Sequence, residues 1–149
     1  MTYTTRGLRY GDFEPGRTFY TARRTLTEAD VTAFAGISGD FNPLHTDAVF
    51  MAEHPLGKRI AHGMLSMSVA TGLANQLGIF DGTTIALLEM HIKFMGAVFF
   101  QDTVQLEITV KERKESTKPD RGIVIFDCTL RNQEGGVVLQ SEWTCLMRR

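Results

Sequence analysis

The chain has little of what builds a secreted, membrane-spanning or nucleic-acid-binding protein. Only two of its 149 residues are cysteine. Cys128 and Cys145 sit inside alternating apolar stretches, at neither metal nor disulfide spacing, so they read as buried reduced thiols without a disulfide frame. No apolar run approaches the roughly 18 residues of a membrane span, and Met1 to Arg6 lacks the apolar stretch of a signal peptide. The expectation is a cytoplasmic protein with no membrane partner. An excess of one charge is missing too: 16 Lys and Arg stand against 17 Asp and Glu, a net charge of −1. That balance supplies no basic field for a phosphate backbone, so nucleic acid is not an expected partner.

What is present is ordinary globular composition, 43% hydrophobic and 22% charged, which excludes disordered and low-complexity classes. The length fits one domain over residues 1–149 with a single core. Arg17 to Thr25 reads as a strand after the turn Glu14-Pro15-Gly16. Thr27-Glu28-Ala29-Asp30 is a helix start with Thr27 as N-cap, and the helix should stop between Gly36 and Gly39. Ser38 to His45 is expected to be a fixed loop, because Pro43 pushes Asn42 out of the α region and Gly39 permits a tight turn. Asp47 should then cap a brief helix through Met51, ended by Pro55 and Gly57.

Gly63 to Leu77 carries small or apolar residues on every side, which predicts a helix buried all round. Strands are expected over Thr84–Phe100, Thr103–Arg113, Gly122–Arg131 and Val137–Met147. In the clearest, Val104, Leu106, Ile108 and Val110 alternate with Gln105, Glu107, Thr109 and Lys111. Asn132 to Gly136 is a hairpin turn, and the charged stretch Lys111 to Arg121, with Pro119, reads as a solvated bend. One long helix followed by four strands fits an α+β fold in which a curled antiparallel sheet wraps the helix.

Asp40 and His45 are the sharpest chemical pair. A Pro-containing loop between them could bring carboxylate and imidazole to one water, an arrangement suited to acid–base work. Spacing alone leaves a second reading open, in which Asp40 and Asn42 cap backbone groups of a turn and His45 packs beside them.

The residues around the pair say more. Ser38-Gly39-Asp40-Phe41-Asn42-Pro43-Leu44-His45, followed by Ile60-Ala61-His62-Gly63-Met64-Leu65-Ser66-Met67-Ser68, closely resembles the two-part signature of the MaoC-like dehydratases. These are hot-dog-fold proteins that include (R)-specific enoyl-CoA hydratases. The resemblance extends to the helix start at Thr27 and to the terminal strands. It implies a hot-dog domain that adds water reversibly to a trans-2-enoyl-CoA, giving the (R)-3-hydroxyacyl thioester.

On that resemblance Asp40 and His45 are the catalytic aspartate and histidine, and Gly63 is the backbone oxyanion donor at the start of the buried helix. Ser68 matches a serine supporting the active-site network, although a helix serine also back-bonds to its own turn. Asn42 is similar to a loop-holding residue beside the substrate. His62 belongs to the second motif and is expected chiefly to shape the helix entry. The family implies no cofactor and no metal, and none of the four histidines stands at zinc-site spacing. His54 and His91 match no role.

The chain departs from relatives that carry Phe-x-x-Pro-Val followed by Gly-Asp: it has Phe94-Met95-Gly96-Ala97-Val98, then Gln101-Asp102. The strand bend there must be made differently, which bears on the acyl pocket. Met64, Met67, Met90 and Met95 could line an acyl tunnel or simply fill the core. Lys58, Arg59 and Lys93 could meet CoA phosphates or be solvated surface charge. The expected partner is an acyl thioester of CoA or of acyl carrier protein. A homodimer or larger even assembly is expected as well, because a curled sheet leaves an open edge. A hot-dog thioesterase and a non-catalytic acyl-CoA-binding protein are the alternatives, and the intact Asp40 and His45 pair favours hydration over both.

Overall fold

Thr27 begins the first helix with a reciprocal cap: the Thr27 Oγ1 accepts from the Asp30 N–H at 3.3 Å, and the Asp30 carboxylate accepts from the Thr27 N–H at 2.8 Å. In this computed structural model, which describes residues 3–149, that helix is α1 (Glu28–Ser38). Met1 and Thr2, part of the leader reading, lie outside the described residues. Gly39 closes α1 in the left-handed region at φ 75°, a conformation glycine enters without a Cβ penalty. Before α1 come a 3₁₀ turn at Tyr10–Asp12 and strand β1 (Thr18–Thr25).

The stretch after Gly39 is not loop throughout. Pro43–Thr46 winds into a helical turn, α2, because Asn42 accepts from the Leu44 N–H at 3.1 Å and Pro43 supplies a helix-ready φ at the first position. Asp47 caps α3 (Ala48–Glu53) through the N–H groups of Val49 and Phe50, as expected. Helix α4 (Gly63–Gln76) follows, then β2 (Thr84–Phe94), β3 (Thr103–Glu115), β4 (Arg121–Arg131) and β5 (Val137–Arg148).

The strands form one antiparallel sheet in the order β1-β3-β4-β5-β2, so the first two strands of the chain take opposite edges. Register shifts interrupt several of the pairings, and such bulges bend a sheet. α4 packs on β1 and β3. The alternation read in β3 is realised: Val104, Leu106, Ile108 and Val110 are buried against the core with Leu65, Ala70 and Leu73 of α4. The arrangement is the α+β layer expected from the sequence.

Three further expectations need correction. β2 ends at Phe94 instead of Phe100, because the N–H groups of Met95 and Gly96 both turn to the Val138 carbonyl and the chain leaves the ladder. It then runs inward, where Val98 accepts from the Ala61 N–H at 2.8 Å and Phe99 bridges Ile60. β3 continues to Glu115, and only residues 116–120 bend; Lys114 and Glu115 of the extension are exposed, with Lys114 paired to Glu112 at 3.1 Å. Finally, α4 is not buried all round. Met64, Ser68, Gly72 and Asn75 form an exposed stripe along it, since the sheet covers one side of the helix alone.

The amino-terminal segment also holds a core residue that periodicity did not reveal. Phe13 is fully buried, edge-on to Phe126 at 5.3 Å and stacked on Phe80 at 6.2 Å. Among the described residues, no helix is long and apolar enough to cross a membrane.

Candidate active site

Between the start of α4, the α1–α2 connection and the inward turn after β2 lies a cleft of about 690 Å³. Its polar wall includes Asp40, His45, His62, Ser66 and the Gly63 main chain, and its apolar wall includes Phe34, Phe94 and Val98.

Asp40 is held by its neighbours in the turn. Its N–H donates to Ser38 Oγ at 3.2 Å, and its Oδ1 accepts from the Asn42 N–H at 3.1 Å. Oδ2 is left for the cleft, on a side chain that is 51% exposed. His45 comes from α2 and is buried. Its Nδ1 lies 2.8 Å from the Ile60 carbonyl, which can only accept, so in the neutral ring the proton sits on Nδ1 and the lone pair on Nε2. That Nε2 lies 3.9 Å from Asp40 Oδ2. The loop thus uses Asp40 Oδ1 and Asn42 as turn caps, and the remaining oxygen of the same carboxylate is left beside His45 in the cleft.

Gly63 opens α4 at the cleft wall, where first-turn N–H groups have no intrahelical acceptor and the helix end is electropositive. A Cβ at this position would come within 2.8 Å of the Phe94 ring, so the close approach of helix and ring needs glycine. His62, just before it, is buried. Its Nε2 donates to the Asp40 carbonyl at 2.9 Å, and its ring stacks on that of His45 at 3.7 Å between centroids.

Two residues named from the sequence stand outside this cleft. Asn42 is the exposed N-cap of α2, in keeping with a loop-holding role. Ser68 lies on the exposed stripe of α4, its hydroxyl donating to the Met64 carbonyl at 2.8 Å. The buried serine of the cleft is Ser66 instead. Helical spacing carries that signal, because position 66 falls within the arc marked by Leu65, Val69 and Leu73. The Ile60 carbonyl had no signal at all, since main-chain acceptors are the same in every sequence.

Met64 and Met95 line the cleft, Met67 is core, and Met90 borders a separate hollow of about 130 Å³. Arg59 is tied to Glu28 at 2.6 Å and covers the Phe100 ring, and Lys58 covers Phe99. Burial pushes the Cys145 thiol up to about 12 and raises that of Cys128 as well, so neither offers a thiolate nucleophile. Asp40, His45 and His62 each place one potential ligand atom within 4.8 Å of the others, a donor set that sequence spacing did not suggest. Two of its nitrogens, His45 Nδ1 and His62 Nε2, are already committed to carbonyls.

Residues 12–126 match the family described as MaoC like domain. Over 114 residues the chain is 34% identical to the (R)-specific enoyl-CoA hydratase of Aeromonas caviae, covering 76% of this chain and 81% of that protein. It is 30% identical over 141 residues to the (R)-specific enoyl-CoA hydratase of Rhodospirillum rubrum, covering 93% and 90% respectively. It is also 37% identical over 104 residues to Protein MaoC of Klebsiella aerogenes, covering 70% of this chain but only 31% of that longer one. Among solved structures, the monoamine oxidase regulatory protein from Archaeoglobus fulgius superposes with a TM-score of 0.90 at 30% identity, over 99% of both chains. Rv0216 of Mycobacterium tuberculosis, described as a double hotdogfold, matches with a TM-score of 0.83 at 22% identity, over 95% of this chain and 44% of that one. The fold is the hot-dog.

Proposed function

The chain belongs to the MaoC-like family of hydratases and dehydratases, and from that premise we propose that it hydrates trans-2-enoyl-CoA reversibly to the (R)-3-hydroxyacyl-CoA. The observation that carries the reading is the pairing of Asp40 Oδ2 with His45 Nε2, 3.9 Å apart in the same cleft as the start of α4. Both atoms accept. One water can donate a hydrogen bond to each, leaving its own lone pair directed at the substrate.

In the reaction the thioester oxygen lies against the Gly63 N–H, where the helix end stabilises the negative charge that develops as the double bond is attacked. The water oxygen bonds to the β-carbon while the pair takes one of its protons. A proton is returned to the α-carbon on the same face, so the elements of water are added and nothing else is consumed. Dehydration is the same path reversed. With the water fixed on one side of the double bond, a single enantiomer forms. The kinship to two (R)-specific hydratases supports the (R) hand. His62 and Asn42 hold the substrate side of the loop.

The chain acts as one domain and as a homodimer. Among the described residues the outer edge of β2 is unpaired, Ile85, Leu87 and Leu88 on that strand are exposed, and Leu87 shares a hollow with Thr71, Ala74 and Asn75 of α4.

Mixing the protein with crotonyl-CoA tests the reaction. The conjugated thioester absorbance should fall with no release of free thiol, and coupling to an (S)-specific 3-hydroxyacyl-CoA dehydrogenase should yield no NADH. Free thiol would mark a thioesterase. An unchanged absorbance would mark a binding protein, and rapid NADH formation would overturn the stereochemical assignment.

A further inference from the structure

We propose that His62 is a positioning residue for the Asp40 and His45 pair, one side chain that holds both partners by different means. The inference rests on the reading of that pair as the water-activating group.

Asp40 lies in an exposed connection outside any helix or strand. Two local contacts fix its N–H and its Oδ1, and both come from residues of that same connection or the end of α1. The contact that ties it to the body of the protein is the bond from His62 Nε2 to its carbonyl, at 2.9 Å. Among the described residues the His45 ring has one hydrogen-bonded anchor, the Ile60 carbonyl at Nδ1. That bond fixes the ring's direction but leaves rotation about it open. The His62 ring closes that freedom by lying against the face of His45, 29° from parallel with centroids 3.7 Å apart. Phe34 backs His62 on its own side, at 5.1 Å.

The residue type is informative. His62 is 2% exposed, and its Nδ1 has no hydrogen-bond partner among the described residues. An orphaned buried nitrogen weakens the fold, so stability alone would favour an apolar ring here. Phenylalanine would supply the flat face without the donor, and glutamine the donor without the face. Histidine alone among them supplies both. Its place immediately before Gly63, as the N-cap of α4, also makes the start of that helix continuous with the clamp.

The experiment compares wild type with His62→Phe and His62→Gln in crotonyl-CoA hydration, with butyryl-CoA, which cannot be hydrated, as a binding probe. Each variant should lose about ten- to a hundredfold in kcat, the scale expected when reacting groups shift by an ångström. KM for crotonyl-CoA and Kd for butyryl-CoA should stay within about twofold of wild type, since a positioning defect leaves the ground-state complex intact. Wild-type kcat in either variant, or a loss of butyryl-CoA binding that matches the loss of rate, overturns the proposal. An inactive wild type would instead overturn the hydratase reading on which it rests. Should either variant fail to fold, long-range ¹H–¹⁵N spectra of the wild-type imidazoles decide the matter. The proton should lie on Nε2 of His62 and on Nδ1 of His45, and the reverse assignment at His62 removes the bond to Asp40 and with it the proposal.

Discussion

Asp40 Oδ2 and His45 Nε2 stand 3.9 Å apart, the first on a half-exposed side chain and the second on a buried ring. The gap exceeds a hydrogen bond, yet an oxygen about 2.8 Å from both atoms fits between them. Each partner is therefore expected to be required. Asp40→Asn is nearly isosteric and keeps the acceptor for the Asn42 N–H. It should fold normally and lose on the order of 10²-fold or more in kcat for crotonyl-CoA hydration. His45→Ala should lose a similar factor, and steady-state assays on the purified variants check both.

Gly63 meets Phe94 so closely that any side chain at 63 must displace the ring. Gly63→Ala is expected to lower kcat/KM by about tenfold or more, because the N–H moves off the thioester oxygen. The displaced group is the far part of a side chain that is itself 55% exposed. Gly63→Ala combined with Phe94→Ala should then recover part of the loss, which measures steric displacement apart from any other effect of the methyl group.

Leu87 and Leu88 are 48% and 52% exposed on the edge strand β2. A dimer covering that edge should appear by light scattering at micromolar concentration as a species of twice the 16.7 kDa chain mass. Leu88→Glu should shift the distribution toward the single-chain mass. A single-chain mass already in the wild type would contradict the assembly.

The cap of α1 is expected to show in the pH dependence of stability. The Thr27 N–H, the largest of several contributions, holds the Asp30 carboxyl below its ordinary range. A carboxyl depressed on folding stabilises the native state fully above its unfolded value, and that contribution fades as pH falls through the folded value. Thr27→Ala keeps the main-chain donor but removes the Oγ1 that donates to Asp30 Oδ2 at 2.9 Å and accepts from the Asp30 N–H, and should cost about 1 kcal/mol near neutrality. The difference from wild type in urea denaturation should shrink once pH drops below the usual aspartate range.

Short-range chemistry was readable before any folding was known. Thr27 and Asp30, Gly39, Asp47 and the alternation in β3 act through neighbours a few residues away, and each stands where the sequence placed it. The same holds for the two-part motif that marked the family. The helical turn at Pro43 was missed because Pro43 and Asn42 suit a loop and a helix start equally well. The early end of β2 was missed because Met95 and Gly96 leave the ladder for a carbonyl on β5, a partner no local pattern announces.

The chemistry of the site divides along the same line. Residue type and order along the chain name Asp40, His45 and Gly63, because a carboxylate, an imidazole and a helix-opening glycine are properties of single positions. Which atoms they present depends on groups distant in sequence: Ile60 directs His45 Nε2 into the cleft, and His62 carries the ring that joins Asp40 to His45. The open side of α4 has the same origin. Its small, uncharged residues suit burial on every side, but a sheet of five strands covers one side of a helix, and Met64, Ser68, Gly72 and Asn75 are left outward by geometry that helix composition does not encode.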